Sequence, residues 1–323
     1  MDSARRMASG RLRRLEEELL DEGTGIIEAT SAPSVLVDEL DYALRPPRHE
    51  RRLPTYGSIV LPSNAPDDWS RITGLTTTLS RTAERDDHDT RRYADGLVSW
   101  TIREADGVTA LAVFDRAAGS ERDVVVLAEA TGAIIVQRRP DSDVRVVGSF
   151  GVARWDGSTW HVEPPFESWL EQASCGLDDT DSSILDRVLR FAVHDLGAAG
   201  IGALMILGGS HGGRFEQRMA PPPPLRLARP TDLGPLRHVL TQVDGATIID
   251  NKGVLRQLGV RLIPSVAAEQ SIEAMGGTRH TSARRYSFDD PSAIVVAVSE
   301  SGPVTVFRDG RVVGRSPDDP TRS

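Results

Sequence analysis

Apolar positions in this chain keep two periods, and the expected elements change where the period changes. Near the N-terminus Leu12, Leu15, Leu19 and Leu20 recur at the spacing of one helix face, so residues from about Arg11 to Leu44 are predicted as one or two helices. From Tyr56 to Val162 the runs shorten. Ser58–Leu61, Leu97–Arg103, Thr109–Phe114, Val124–Leu127, Ala133–Gln137 and Val144–Val147 are β-branched segments separated by Gly and Asp, which predicts strands. Trp155-Asp156-Gly157-Ser158-Thr159-Trp160 predicts a hairpin turning on Asp-Gly. Helical spacing returns with Ile184, Leu185, Val188, Leu189, Ala192, Val193 and Leu196, with Ser182 or Ser183 as the expected N-cap and Gly197 to Gly202 as the stop. Ala203–Leu207 then reads as a buried strand and Leu233–Thr241 as a helix. Strands and helices alternate as far as Val313, the pattern of a layered α/β domain.

The breaks in pattern suggest three parts. Residues 1–55 form a helical segment ending in the polar, Pro-containing run Arg45–Pro54. Residues 56–177 form a strand-rich α+β domain of regulatory or oligomerising type. The acidic run Asp178–Asp181 marks the start of the α/β domain, 178–316. Val124–Arg139 aligns without gaps onto Ile294–Asp309, and a hairpin design used twice is the expected explanation.

Composition removes several classes. The 323 residues carry a net charge of −9, which disfavours nonspecific nucleic-acid binding. Almost all basic residues are Arg; Lys252 is the one lysine. The single cysteine, Cys175, excludes an intramolecular disulfide framework and a cysteine-based zinc site. No apolar run is long enough to span a membrane, and Met1 to Gly23 has no signal-peptide core, so a cytoplasmic protein without membrane or nucleic-acid partners is expected.

Candidate chemistry lies in the last third. Asp244-Gly245-Ala246 opens an apolar strand, where a carboxylate can hold a metal or orient a hydroxyl. Gly276-Gly277-Thr278-Arg279-His280-Thr281 opens a helix and offers backbone N–H groups, a hydroxyl and cationic side chains to a phosphate. Ser299-Glu300 follows the predicted strand Ile294–Val298. Gly208–Gly213 is glycine-rich but lacks a P-loop lysine and a dinucleotide fingerprint, and reads as a mobile loop near the site. Asp86-Asp87-His88-Asp89 reads as a solvated acidic loop.

In this order, with Leu258–Pro264 between the first two, these motifs resemble the DisA-type diadenylate cyclase (DAC) domain over roughly the last 130 residues. The resemblance implies a mixed β-sheet flanked by helices and a bacterial nucleotidyltransferase that makes the second messenger cyclic di-AMP from two ATP, with Mg²⁺ or Mn²⁺. It assigns Asp244, Arg279 and His280 to catalysis. Gly245, Ala246, Leu262, Gly277, Thr278, Thr281 and Ser299 would bind nucleotide, and Asp244 and Glu300 would hold metal. It also implies a face-to-face homodimer or higher homo-oligomer, because one domain presents one ATP. Thr281 stands where the family has a second Arg. Arg284 and Arg285 are candidate substitutes, and a nucleotide-binding sensor of weak or no activity is the alternative. No family is recognisable in residues 1–175.

Overall fold

The computed structural model describes residues 2–48, 50, 53–66, 73–81, 87–104, 109–209 and 213–317; the side chains of residues 2–8, 81, 87–89 and 109 are outside the description. Asp86 and the side chains of Asp87, His88 and Asp89 therefore lie outside it, as do Ser210, His211 and Gly212 of the glycine-rich loop. Two compact units divide the chain, 1–165 and 166–323.

The first unit contains α1 (Asp2–Asp21), α2 (Pro33–Leu44), β1 (Tyr56–Val60), β2 (Thr77–Arg81), α3 (Asp87–Tyr93), β3 (Ser99–Arg103), β4 (Thr109–Phe114), α4 (Glu121–Thr131), β5 (Ile134–Arg138), β6 (Val144–Gly148), β7 (Gly151–Trp155) and β8 (Trp160–Glu163). Its eight strands run β2-β4-β3-β1-β5-β6-β7-β8. β1 and β3 are parallel, and the other neighbours are antiparallel. Strand alternation splits the core in two. Tyr56, Val60, Ile134 and Val136 join Leu15, Leu19, Leu36 and Leu40 of the first two helices, whereas Ile59 and Ile135 join Val124 and Leu127. The N-terminal helices thus belong to this unit and cover one face of its sheet.

One expected strand is a helix. Val124–Leu127 lies in α4, and β-branched residues do not decide the matter there. Ser120 accepts from the Asp123 N–H while Asp123 accepts from the Ser120 N–H, and Gly132 closes the helix in the left-handed conformation. The segment aligned with Ile294–Asp309 is therefore helix, turn and strand, and the two are not copies of one hairpin. The Trp155–Trp160 hairpin is present, with the two rings 5.4 Å apart.

The second unit contains α5 (Glu167–Ser174), α6 (Asp179–Phe191, continued by a π turn Ala192–Leu196), β9 (Ala203–Leu207), β10 (Arg214–Glu216), α7 (Pro230–Gln242), β11 (Ala246–Ile249), β12 (Leu255–Ile263), α8 (Val266–Ser271), α9 (Thr278–Asp289), β13 (Ile294–Val298), β14 (Val304–Arg308) and β15 (Arg311–Arg315). The unit starts before the acidic run because α5 packs on this sheet: Trp169 and Ala173 enter its core, and Arg308 Nη1 donates to the Cys175 carbonyl at 2.7 Å. Asp178, rather than Ser182 or Ser183, caps α6 by accepting from the Asp181 N–H at 2.8 Å. The acidic run is the helix's first turn, where its charge suits the dipole.

Seven strands run β10-β12-β11-β9-β13-β14-β15, with β9 and β11 parallel and the remaining neighbours antiparallel. Ala203, Met205 and Leu207 face α6; Leu204 and Ile206 face the core shared with Ala283 and Tyr286 of α9. Coverage on both faces explains why the central strands read as unbroken apolar runs. Both units are sheets flanked by helices, and the chain is α/β overall. Among the described residues no helix is long and apolar enough to cross a membrane.

Candidate functional site

Three central strands bring the motifs to one end of the second sheet. Ala246 lies opposite Leu204 in the parallel β9–β11 pair, and Val298 lies opposite Ala203 in the antiparallel β9–β13 pair. Gly202, Asp244-Gly245 and Ser299-Glu300 therefore flank the same strand ends. The ends of β11 and β13 are two strand spacings apart, ~10 Å.

α9 begins at this edge. Gly277 stands at its N-cap with φ 126°, a backbone only glycine adopts freely, and no side chain caps the helix. Its first N–H groups are thus available to an anion, and the helix dipole favours one. Arg279 reaches back to the strand: Nη1 donates to the Val298 carbonyl at 3.3 Å and Nη2 lies 3.5 Å from Glu300 Oε1. Glu300 and Asp244 are exposed, Ser299 is half-buried in the β13–β14 turn, and Ala246 is buried. Leu262 of β12 is half-buried against the core beneath α9.

His280 is half-buried, edge-on to Phe307 at 6.2 Å. Burial lowers its pKa below 6.5, and Arg315 and Arg279 lower it further. The ring is thus held toward its neutral form, and the permanent positive charge at this edge comes from the two arginines. Because the folded state resists protonating His280, this group's contribution to stability is complete above 6.5 and fades as pH falls below that value. In NMR titrations of the free protein His280 should titrate below 6.5, and anionic nucleotide beside it should move that value up. A free-protein value at or above 6.5 contradicts this electrostatic picture.

The Thr281 hydroxyl is engaged within its own loop. It accepts from the Met275 N–H at 3.0 Å and lies 3.1 Å from the Met275 and Gly277 carbonyls, so it ties the glycine loop to the helix. Both candidate substitute arginines contact backbone carbonyls. Arg284 donates to the Gly310 carbonyl at 2.8 Å, and Arg285 to the Ile272 carbonyl at 3.4 Å. Arg315, on β15 four strands from β11, is the cation that sequence reasoning missed; only the β14–β15 register, Thr305 opposite Arg315, brings it level with the site.

Gly202 was also missed. A Cβ there would lie 2.3 Å from Arg279 Nη1 and 2.7 Å from Glu300 Cγ. Both are flexible side-chain ends, so Gly202→Val should fold almost normally while displacing the Arg279–Glu300 pair. We expect a loss of at least tenfold in nucleotide affinity with a melting temperature within a few degrees of the parent; unchanged affinity would remove Gly202 from the site. Gly245 has φ 108°, and a Cβ on it would lie 2.8 Å from the Gly259 carbonyl carbon. Backbone there meets backbone.

A layered α/β unit with an uncapped helix N-terminus and two arginines at one sheet edge is built to attract an anion. Residues 190–312 match the family described as DisA bacterial checkpoint controller nucleotide-binding, the DAC domain, and residues 13–163 match the probable sensor domain DACNK. The chain is a DAC-domain protein whose N-terminal unit is of the DACNK family. No curated protein matches it. Among solved structures it is similar to a hypothetical membrane spanning protein from Bacillus cereus, at 19% identity over 42% of this chain and 68% of that one, with a TM-score of 0.32.

Proposed function

We propose that this protein is a diadenylate cyclase, joining two ATP into cyclic di-AMP and releasing two pyrophosphates across a face-to-face homodimer or higher assembly in the cytoplasm. The observation that supports it is the meeting of Asp244-Gly245-Ala246, Thr278-Arg279-His280 and Ser299-Glu300 at one end of three adjacent strands. In each half-reaction the 3′-oxygen of one ATP forms a bond to the α-phosphorus of the other. The bond to pyrophosphate breaks, and the hydroxyl proton passes to a nearby base or water. One unit offers one such set of residues, so the second ATP comes from a facing copy.

Asp244 orients the attacking hydroxyl. Arg279, Arg315 and the α9 N-terminus stabilise charge on the phosphates, and neutral His280 exchanges a hydrogen bond with them. Ser299 contacts phosphate, Leu262 lines the base, and Gly245 and Ala246 let the nucleotide approach the backbone. Thr281 acts indirectly, by fixing the loop. Among the described residues no three His, Cys, Asp or Glu cluster as a metal cage. Asp244 and Glu300 fit the alternative, a hard cation held by one or two carboxylates and the phosphates themselves. Bound Mg²⁺ or Mn²⁺ would neutralise the departing pyrophosphate.

Incubating purified full-length protein with ATP and Mn²⁺, and resolving the products by chromatography, should give cyclic di-AMP and pyrophosphate in a 1:2 ratio. ATP binding without product would favour the sensor reading, which the tied hydroxyl of Thr281 and the engaged Arg284 and Arg285 support. Absence of ATP binding would end both readings.

A further inference from the structure

The opposite end of the second unit's sheet holds a cavity of about 620 Å³. It lies at the C-terminal ends of the parallel strands β9 and β11, the side on which open α/β sheets commonly hold ligands. The nucleotide motifs flank the other ends of those strands, one strand length away, ~16 Å. Ile184, Ile206, Phe215, Ile248 and Ile249 supply an apolar wall, and the volume suits a small molecule.

Tyr286, in the last turn of α9, is the polar anchor of this wall. The residue is only 5% exposed and lines the cavity, and its hydroxyl makes no hydrogen bond among the described residues. A phenol this deep normally has a partner. Burial, aided by Asp290, pushes its pKa up to about 12, so at pH 7 it is a neutral O–H donor. The charged groups of the lining are already committed. Asp250 accepts from Arg256 Nε at 2.7 Å and from the Lys252 and Val254 N–H groups. Asp290 accepts from the Ser292 hydroxyl at 2.6 Å, and Asp181 lies in the first turn of α6, where the helix N–H groups balance it. A charged ligand would shed its hydration here for counter-charges that already have partners. A neutral body with one acceptor loses less and satisfies the buried O–H.

We propose that this cavity is a second ligand site, for a neutral, largely apolar ring compound bearing a carbonyl or ring-nitrogen acceptor. The acceptor takes the hydrogen bond of the Tyr286 hydroxyl, and the ring system lies against the isoleucines and Phe215.

Titration of the full-length protein with three naphthalenes of similar size tests this: 2-acetylnaphthalene, neutral with a carbonyl acceptor; 2-naphthoate, an anion; and 2-naphthylmethylamine, a cation. The ketone should bind saturably with a sub-millimolar Kd, and both ions at least fivefold more weakly. In methyl NMR spectra the ketone should shift Ile206, Ile248 and Ile249 and leave Ile59 and Ile135 of the first unit in place. Tyr286→Phe keeps the ring and removes only the donor, and should bind the ketone about fivefold more weakly. If that variant fails to fold, the methyl shifts in the parent decide. ATP titrated separately should bind Tyr286→Phe as it binds the parent, so the outcome does not depend on the cyclase reading. No saturable binding of the ketone, an ion bound as tightly as the ketone, methyl shifts confined to other isoleucines, or unchanged affinity in folded Tyr286→Phe would overturn the proposal.

Discussion

Arg279→Ala is expected to abolish measurable cyclic di-AMP synthesis by the full-length protein. The guanidinium spans the helix start and the strand end, with contacts to the Val298 carbonyl and Glu300. Losing one charge-assisted contact costs about 1.5–3 kcal/mol, roughly ten- to a hundredfold in ATP affinity. The rate should fall further, by about another hundredfold or more, because charge on the reacting phosphates grows in the transition state. The nearby arginines at 284 and 285 already contact backbone carbonyls. Arg279 is only half-buried and outside the apolar clusters, so near-ultraviolet circular dichroism should be unchanged. Asp244→Asn should be equally inactive while still binding ATP. Mixing the two variants should restore nothing, because each reaction centre of a facing pair draws on both copies. If Arg279→Ala keeps both ATP binding and turnover, the glycine loop is structural.

Glu39→Ala should give the largest loss of stability in the first unit. Glu39 is fully buried on α2, 2.7 Å from Arg91 Nη2 and 3.3 Å from Arg103 Nε, and accepts from the Tyr56 hydroxyl. Burial and then Glu39 raise the Tyr56 pKa well above 10, so the phenol remains a donor. Removing the carboxylate leaves two arginines, 12% and 8% exposed, without a shared counter-charge in the interior. Asp38 still pairs with Arg91. Breaking a buried pair from one side costs about 3–5 kcal/mol, a large share of a domain's usual 5–15 kcal/mol. Urea unfolding of the full chain measures it; a loss under about 1 kcal/mol would show that water or other groups replace Glu39. Glu39→Gln, which keeps an acceptor, should be milder.

What the sequence reveals and conceals follows from the range of the interactions. The central strands of the second unit were legible because coverage on both faces leaves runs such as Ala203–Leu207 and Ile294–Val298 without polar interruption. The motif edge was legible because glycine, acid and arginine stand beside those runs. Val124–Leu127 was misread because β-branched residues outweighed a four-residue capping box, Ser120–Asp123, and a single glycine stop. The packing of α2 on β1 and β5 was hidden by the polar run after it, which suggested a separate segment. Gly202 and Arg315 carry no local signal at all. Their relevance appears only when strand register places one under Arg279 and the other near His280.

The Gly245 backbone contact changes how mutational evidence at this motif can be interpreted. Any side chain at 245 must both adopt φ 108° and push β12 away from β11 at Gly259. A Gly245→Ala protein that loses activity would thus report on sheet pairing as much as on nucleotide approach, and an alanine scan would award the glycine a chemical role it need not have. Within Asp-Gly-Ala, the informative position is the exposed Asp244, where a change of charge leaves the strand pair untouched.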